Sequence, residues 1–488
     1  MIPHEPAMSA RASLSLRDGA TPAANDIARL ITRARVAQSV VDGWDQAKID
    51  ELATAAGWAI VEPSRNRALA ELAVRDTGLG SVDDKVAKNR RKTMGLLRDL
   101  ATAKTVGVIS TDRARGLVEI ARPVGVVAAI TPSTNPGATP ANNIINALKC
   151  RNAIILSPSP KGASTLALLL QFIHAELDRV GAPRDLVMAL PDPASREHTR
   201  ELMRQADLVV ATGSRNNVRA AYESGKPALG VGAGNVAVIV DETADLADAA
   251  GKIARSKTFD HATSCSSENS VIAVDSIAGG LLAALEREGG VRLDTEERRR
   301  LRTAMFPGDK LASEIIAQSA PTIAAYAGLV RPEVANARFL IVDGMGVGPE
   351  FPFSGEKLSP VLAFYSAEDF DAAATLADRL LRHQGAGHSV GLHSHADDRA
   401  TGLGLSLPVS RVIVNQAHCF ATGGSFDNAL PFSLSMGCGT WGGNGFSDNL
   451  NYRHFLNITR VVHPIAPELV QEPTEEMLFG EYRRRHGA

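Results

Sequence analysis

Cys265 stands in the stretch Thr263-Ser264-Cys265-Ser266-Ser267, a polar loop just ahead of the apolar run Val271-Ile272-Ala273-Val274, which reads as a strand. Serines on both sides make poor core neighbours, so this thiol is expected to face a cleft, where cysteine does covalent chemistry on a carbonyl carbon. A thiolate at lowered pKa would be the attacking form. A second polar turn, Thr131-Pro132-Ser133-Thr134-Asn135-Pro136-Gly137, follows another apolar run and carries the strong turn former Asn-Pro-Gly. Two further segments, Leu156-Ser157-Pro158-Ser159-Pro160-Lys161 and Ala211-Thr212-Gly213-Ser214, each follow a strand and open a helix, so backbone N–H groups and the helix dipole can face a pyrophosphate. His261 and His418 flank the presumed pocket, as packing residues or as aids to thiol deprotonation. The pair His393 and His395 lacks a third ligand, and Cys150, Cys265, Cys419 and Cys438 are scattered without paired spacing. No metal site and no disulfide framework is expected.

Such groups must be positioned by a larger framework. Residues 1–24 mix Pro, Ser, Ala and Arg without periodicity and read as a loose tail. Apolar residues at helical spacing from Asn25 onward give a helical layer over 25–110. Residues 111–125 read as a β ribbon. Short apolar runs separated by Gly and Pro turns then alternate with helical stretches, which predicts parallel, doubly wound sheets. A cofactor domain is expected over 126–245 and a second α/β domain, carrying the thiol, over 246–435. The segment 436–488 returns to the early ribbon through a strand at Ile458–Val462, pairing with it within the chain or across a subunit interface.

These motifs resemble those of the aldehyde dehydrogenase superfamily, and the phrases Gly225-Lys226-Pro227-Ala228-Leu229-Gly230-Val231-Gly232-Ala233-Gly234-Asn235 and Met436-Gly437-Cys438-Gly439-Thr440-Trp441-Gly442-Gly443-Asn444 resemble its CoA-acylating branch. The resemblance implies an α/β fold of two doubly wound domains with a small bridging β element. It implies Cys265 as nucleophile, with the Asn135 amide and the Cys265 N–H receiving the oxyanion. A nicotinamide cofactor, NAD or NADP, would lie against Thr131, Pro132, Ser133, Ser157, Pro158, Ser159, Lys161, Thr212, Gly213, Ser214, Gly232 and Gly234, with Glu356 on its ribose hydroxyls. Ser157 and Pro160 stand where related enzymes often carry a lysine and a glutamate. The missing carboxylate removes one barrier to a 2'-phosphate, which Lys161 could attract.

One departure from the superfamily is informative. Val231 stands where hydrolytic members carry the glutamate that activates water, so a thioester on Cys265 would pass to coenzyme A. Glu268 is an alternative base, with a structural role favoured by its place at a strand entrance. The stretches Ala421–Phe432 and Asn451–Asn457 resemble the subgroup acting on sulfoacetaldehyde, which tends to use NADP, and acetaldehyde follows as substrate. An anionic substrate needs a cation, for which Arg411 and Arg453 are the sequence's candidates. A hydrolytic aldehyde dehydrogenase and a non-catalytic scaffold of the same fold are the rivals, with a glutamyl-phosphate-reductase-like enzyme more distant.

The chain has 488 residues, 44% hydrophobic and 22% charged, with a formal net charge of -2. At roughly 150 residues per domain this allows two to three domains. The near-neutral charge argues against a general nucleic-acid binder, and no apolar segment has the length of a membrane helix or a signal-peptide core. A cytosolic homodimer or homotetramer acting on a small aldehyde and CoA is expected.

Overall fold

The computed structural model describes residues 21–191 and 194–487. The tail expected over 1–24 therefore lies outside the described residues as far as residue 20, while Pro22 already opens the first helix. Four helices form the expected layer: α1 (Pro22–Val41), α2 (Gln46–Val61), α3 (Pro63–Thr77) and α4 (Val82–Leu100). Their starts follow local chemistry, because Thr21, Asp45, Glu62 and Ser81 each accept backbone N–H groups of the first turn.

The strands come in three groups along the chain. β1 (Gly107–Asp112) and β2 (Leu117–Pro123) form the antiparallel ribbon. β3 (Val126–Thr131), β4 (Ala153–Pro158), β5 (Val187–Ala189), β6 (Leu208–Ala211) and β7 (Ala228–Gly230) build a five-stranded parallel sheet in the order β5-β4-β3-β6-β7. A seven-stranded parallel sheet takes β8 (Val236–Val240), β9 (Glu268–Val274), β10 (Gly290–Arg292), β11 (Phe339–Asp343), β12 (Val361–Ala367), β13 (Val390–His393) and β14 (Val412–Val414), in the order β10-β11-β12-β9-β8-β13-β14. β15 (Leu456–Val462) returns to pair antiparallel with β2 of the same chain, so the expected bridging strand is intramolecular. The central strands β3 and β9 are buried along their whole length, β3 as the apolar run expected of a strand covered on both faces, β9 with the polar Glu268, Asn269 and Ser270 at its entrance.

One boundary moves. β8, expected to close the cofactor domain, instead lies between β9 and β13 in the larger sheet. An all-apolar run buried on both faces carries no signal of which sheet it joins; the turn Gly232–Gly234 before it decides, by carrying the chain across under Cys265. Gly234 packs so closely there that a Cβ would overlap the Cys265 carbonyl oxygen.

After β3 comes α5 (Ala138–Lys149), and after β4 comes α6 (Ala163–Val180). α7 (Arg196–Gln205) precedes β6, α8 (Arg215–Tyr222) follows it, and α9 (Leu246–Thr258) leads to the Cys265 loop. α4 has an unusual buried face: Lys85, Lys88, Asn89 and Lys92 lie on one stripe at helical spacing, and all four are buried. That stripe faces the ends of both sheets.

Candidate active site

A cavity of about 950 Å³ opens between the two sheets at the ends of β3, β4 and β6. Cys265 and Asn135 both line it, so the structure brings the two expected catalytic residues together. The carboxyl ends of parallel strands are where open α/β sheets bind ligands.

The loop that presents Cys265 is held in tension. Asp260, His261 and Ala262 all adopt left-handed backbone conformations, with φ of 50°, 49° and 58°. Such conformations cost about 1–3 kcal/mol each for residues other than glycine. They are held by the buried Asp260 carboxylate, which accepts from Lys88 Nζ at 2.5 Å, Lys85 Nζ at 3.1 Å, Thr263 Oγ1 at 2.8 Å and the Ser81 N–H at 2.9 Å. Lys88 Nζ also donates to Asn135 Oδ1 at 2.9 Å. With its oxygen engaged, the Asn135 amide has its N–H groups left for the cavity.

The thiol sits 3.3 Å from Nε2 of His388, whose Nδ1 is 2.8 Å from Ser389 Oγ. In the tautomer whose Nδ1–H donates to the serine, the Nε2 lone pair faces the sulfur. Burial pushes the Cys265 thiol up to about 12, reinforced by the Glu356 carboxylate and Cys438 and opposed by its own backbone N–H and Arg411. Burial, then Arg411, pushes His388 down to about 3. The expected low-pKa thiolate is thus corrected: desolvation outweighs the nearby cations, and the resting pair is a neutral thiol against a neutral imidazole.

At the other end of the cavity, Thr131, Pro132, Ser133, Ser157, Pro158, Ser159, Thr212, Gly213, Ser214, Gly232 and Glu356 all line the wall. Ser214 caps α8 by accepting the Asn217 N–H, so this helix start points its N–H groups at the space. Ser157 Oγ lies 2.9 Å from Thr199 Oγ1 on α7. Burial pushes the half-buried Glu356 carboxyl up to about 8, against the Gly234 N–H and Arg215. A carboxylate so short of partners fits vicinal hydroxyls, and two helix starts with polar turns fit a dinucleotide. Among the described residues no group of three or more His, Cys, Asp or Glu is placed to hold a metal.

The model of the aldehyde dehydrogenase family matches residues 15–289. A sulfoacetaldehyde dehydrogenase (acylating) of Cupriavidus necator is 61% identical over 468 residues, covering 96% of this chain and 94% of that protein. The chain belongs to the aldehyde dehydrogenase family. A sulfoacetaldehyde dehydrogenase (acylating) of Bilophila wadsworthia is 42% identical over 93% of this chain and 98% of its own. An acetylating aldehyde dehydrogenase of Geobacillus thermoglucosidasius has the same fold, with a TM-score of 0.87 at 35% identity, covering 93% of this chain and 98% of that one.

Several expected residues of this aldehyde dehydrogenase stand elsewhere. Lys161 is exposed and does not line the cavity, because it points outward from the turn ahead of α6. Gly234 acts from below, under the Cys265 carbonyl. Arg411 is buried but spent: it donates to Asn449 Oδ1 and to the carbonyls of His388, Gly437 and Ser447, which staples the loops behind the thiol. Arg453 lies against Tyr452 and does not line the cavity. Neither is the cation an anionic substrate needs.

His261 bonds the Ala317 carbonyl and His418 bonds Ser266 O and Thr422, which makes both packing residues. Glu268 accepts from the His418 N–H inside β9 and does not line the cavity, whereas Val231 does. Sequence reasoning missed His388, Arg196 and Arg200; the two arginines line the cavity on α7.

Proposed function

We propose that this chain is a CoA-acylating dehydrogenase of sulfoacetaldehyde, making sulfoacetyl-CoA with NADP through a thioester on Cys265. The observation that carries the reading is the cavity lined by Cys265, Asn135 and Val231, with His388 buried behind the thiol at 3.3 Å and a valine where hydrolytic relatives carry their water-activating base. The high identity to the Cupriavidus necator protein supports the sulfoacetaldehyde substrate. Arg196 and Arg200 beside Ser157, with no carboxylate in that turn, favour a 2'-phosphate.

In the first half-reaction the Cys265 proton passes to His388 Nε2 as sulfur bonds the aldehyde carbon. The developing oxyanion takes hydrogen bonds from the Asn135 amide and the Cys265 N–H, a stabilisation typically worth about 3 kcal/mol per donor. When bound, the nicotinamide ring supplies the acceptor for the hydride that leaves this carbon. Glu356, Thr212, Ser214 and the strand-end turns of β3 and β4, which line the cavity, would hold it. Once His388 has given its first proton up to solvent, it takes the proton of the CoA thiol in the second half-reaction; the CoA sulfur attacks the thioester carbon, the bond to Cys265 sulfur breaks, and the proton returns from His388 to that sulfur. Glu356, a carboxylate near the thiol, would serve the ribose, and Val231 cannot activate water, so the thioester waits for CoA. The four free cysteines fit a reducing cytosol, and the exposed ribbon of β1, β2 and β15 fits a homo-oligomer.

Mixing the enzyme with sulfoacetaldehyde and NADP without CoA should release close to one equivalent of NADPH per active site, followed by little turnover; adding CoA should restore steady-state turnover. Rapid CoA-independent release of sulfoacetate would instead establish the hydrolytic reading.

A further inference from the structure

One cation in the cavity takes no part in that chemistry. Lys92 is buried on the same stripe of α4 as Lys88 and lines the same wall as Cys265 and Asn135. Its Nζ donates to the Gly423 carbonyl at 2.7 Å and lies 5.6 Å over the Phe432 ring. Lys85 and Lys88 share Asp260, but Lys92 has no ion-pair partner among the described residues. The charges around it are Arg91 and Lys88, with the thiols of Cys419 and Cys265. Burial, then Arg91, pushes its ammonium down to about 7, as expected of a cation kept without a counter-charge. A second polar group without a partner lines the same cavity. Thr139 Oγ1, on the first turn of α5, lines this cavity, is buried, and has no hydrogen-bond partner among the described residues.

Resting on the acylating reading above, we propose that Lys92, with Thr139, is the anchor for the substrate's sulfonate. Two N–H donors remain on Nζ after the bond to Gly423, and a sulfonate offers three acceptor oxygens. The anchored anion fixes the short substrate by its far end, leaving the aldehyde carbon for Cys265. Keeping an unpaired lysine in a closed wall costs stability, and the arriving anion offsets that cost. A neutral aldehyde gains nothing from it, so selectivity is built into α4 rather than into the nucleophile loop.

The test compares sulfoacetaldehyde with propionaldehyde, whose methyl stands where the sulfonate would, in the wild type, Lys92→Met and Lys92→Arg. Lys92→Met should lower kcat/KM for sulfoacetaldehyde by roughly 100-fold, mainly through KM, and lower the sulfoacetaldehyde-to-propionaldehyde ratio nearly as much. Lys92→Arg should keep more of the ratio. A ratio that Lys92→Met leaves intact, both substrates falling together, overturns the anchor while the acylating reading stands. A wild type that makes acyl-CoA from propionaldehyde but not from sulfoacetaldehyde overturns the substrate reading and the anchor together. Should Lys92→Met fail to fold, the wild type decides: ethanesulfonate should slow iodoacetamide labelling of Cys265 and compete with sulfoacetaldehyde. Protection no greater than that of equimolar chloride overturns the proposal.

Discussion

Asn135 owes its proposed function to Lys88. An amide in an Asn-Pro-Gly turn is free to rotate, and only the ammonium on its oxygen decides that N–H groups face the cavity. Asn135→Ala should therefore lower kcat for sulfoacetaldehyde by roughly 100-fold or more with a small effect on KM, read from NADPH formation in the presence of CoA. At this scale the sequence was informative wherever a residue sits in a loop of unusual composition: Cys265 among serines, Asn135 in its turn, Glu356 ahead of β12. His388 escaped because it is 123 positions from Cys265 and reads as one more histidine at a strand entrance. Its signal was Gly387, which has φ of +84° and packs so tightly that a Cβ would overlap the Cys438 carbonyl. A turn that admits only glycine, next to a histidine, marks a ring held in place. Lys161 failed for the opposite reason, since its charge suggested a phosphate contact that the direction of the turn forbids.

Among elements, α4 departs furthest from a simple reading. Lysines at 85, 88 and 92 look like the solvated face of an amphipathic helix, yet this is the face turned inward. The helix itself was legible from its apolar residues, but the orientation of its charged stripe depends on Asp260, which lies 172 positions away from Lys88. Burial raises the Asp260 carboxyl, while Lys88 and then Lys85 bring it below its ordinary value of 3.8. A carboxyl depressed in the folded state adds stability above about 3.8 that is lost as the pH falls through the lower folded value. Lys88→Met should destabilise the protein by about 3–5 kcal/mol, because it strips one partner from a buried charge. Denaturant midpoints at pH 7 and pH 4 check this, and the variant's deficit should shrink at the lower pH. The same substitution frees the Asn135 amide, so kcat should fall even where the protein remains folded.

At the scale of the whole molecule, the alternation of strands and helices made the two sheets legible, and the late strand was matched to the early ribbon. The crossing of β8 was not, since five buried apolar residues fit either sheet. The three-stranded ribbon stays largely exposed, with Val108 and Val462 open to solvent, and we expect another subunit to cover it. Sedimentation velocity should find the full chain as a dimer or larger, and a chain ending at Phe455 should lose that assembly.

The pairing of β15 with β2 also orders events in time. Asn457 and Pro123 are 334 positions apart, so β2 keeps one edge bare while all the residues between them are made. A chain still lacking β15 carries an open template for strand addition, and a strand made long after β2 is the one that covers it.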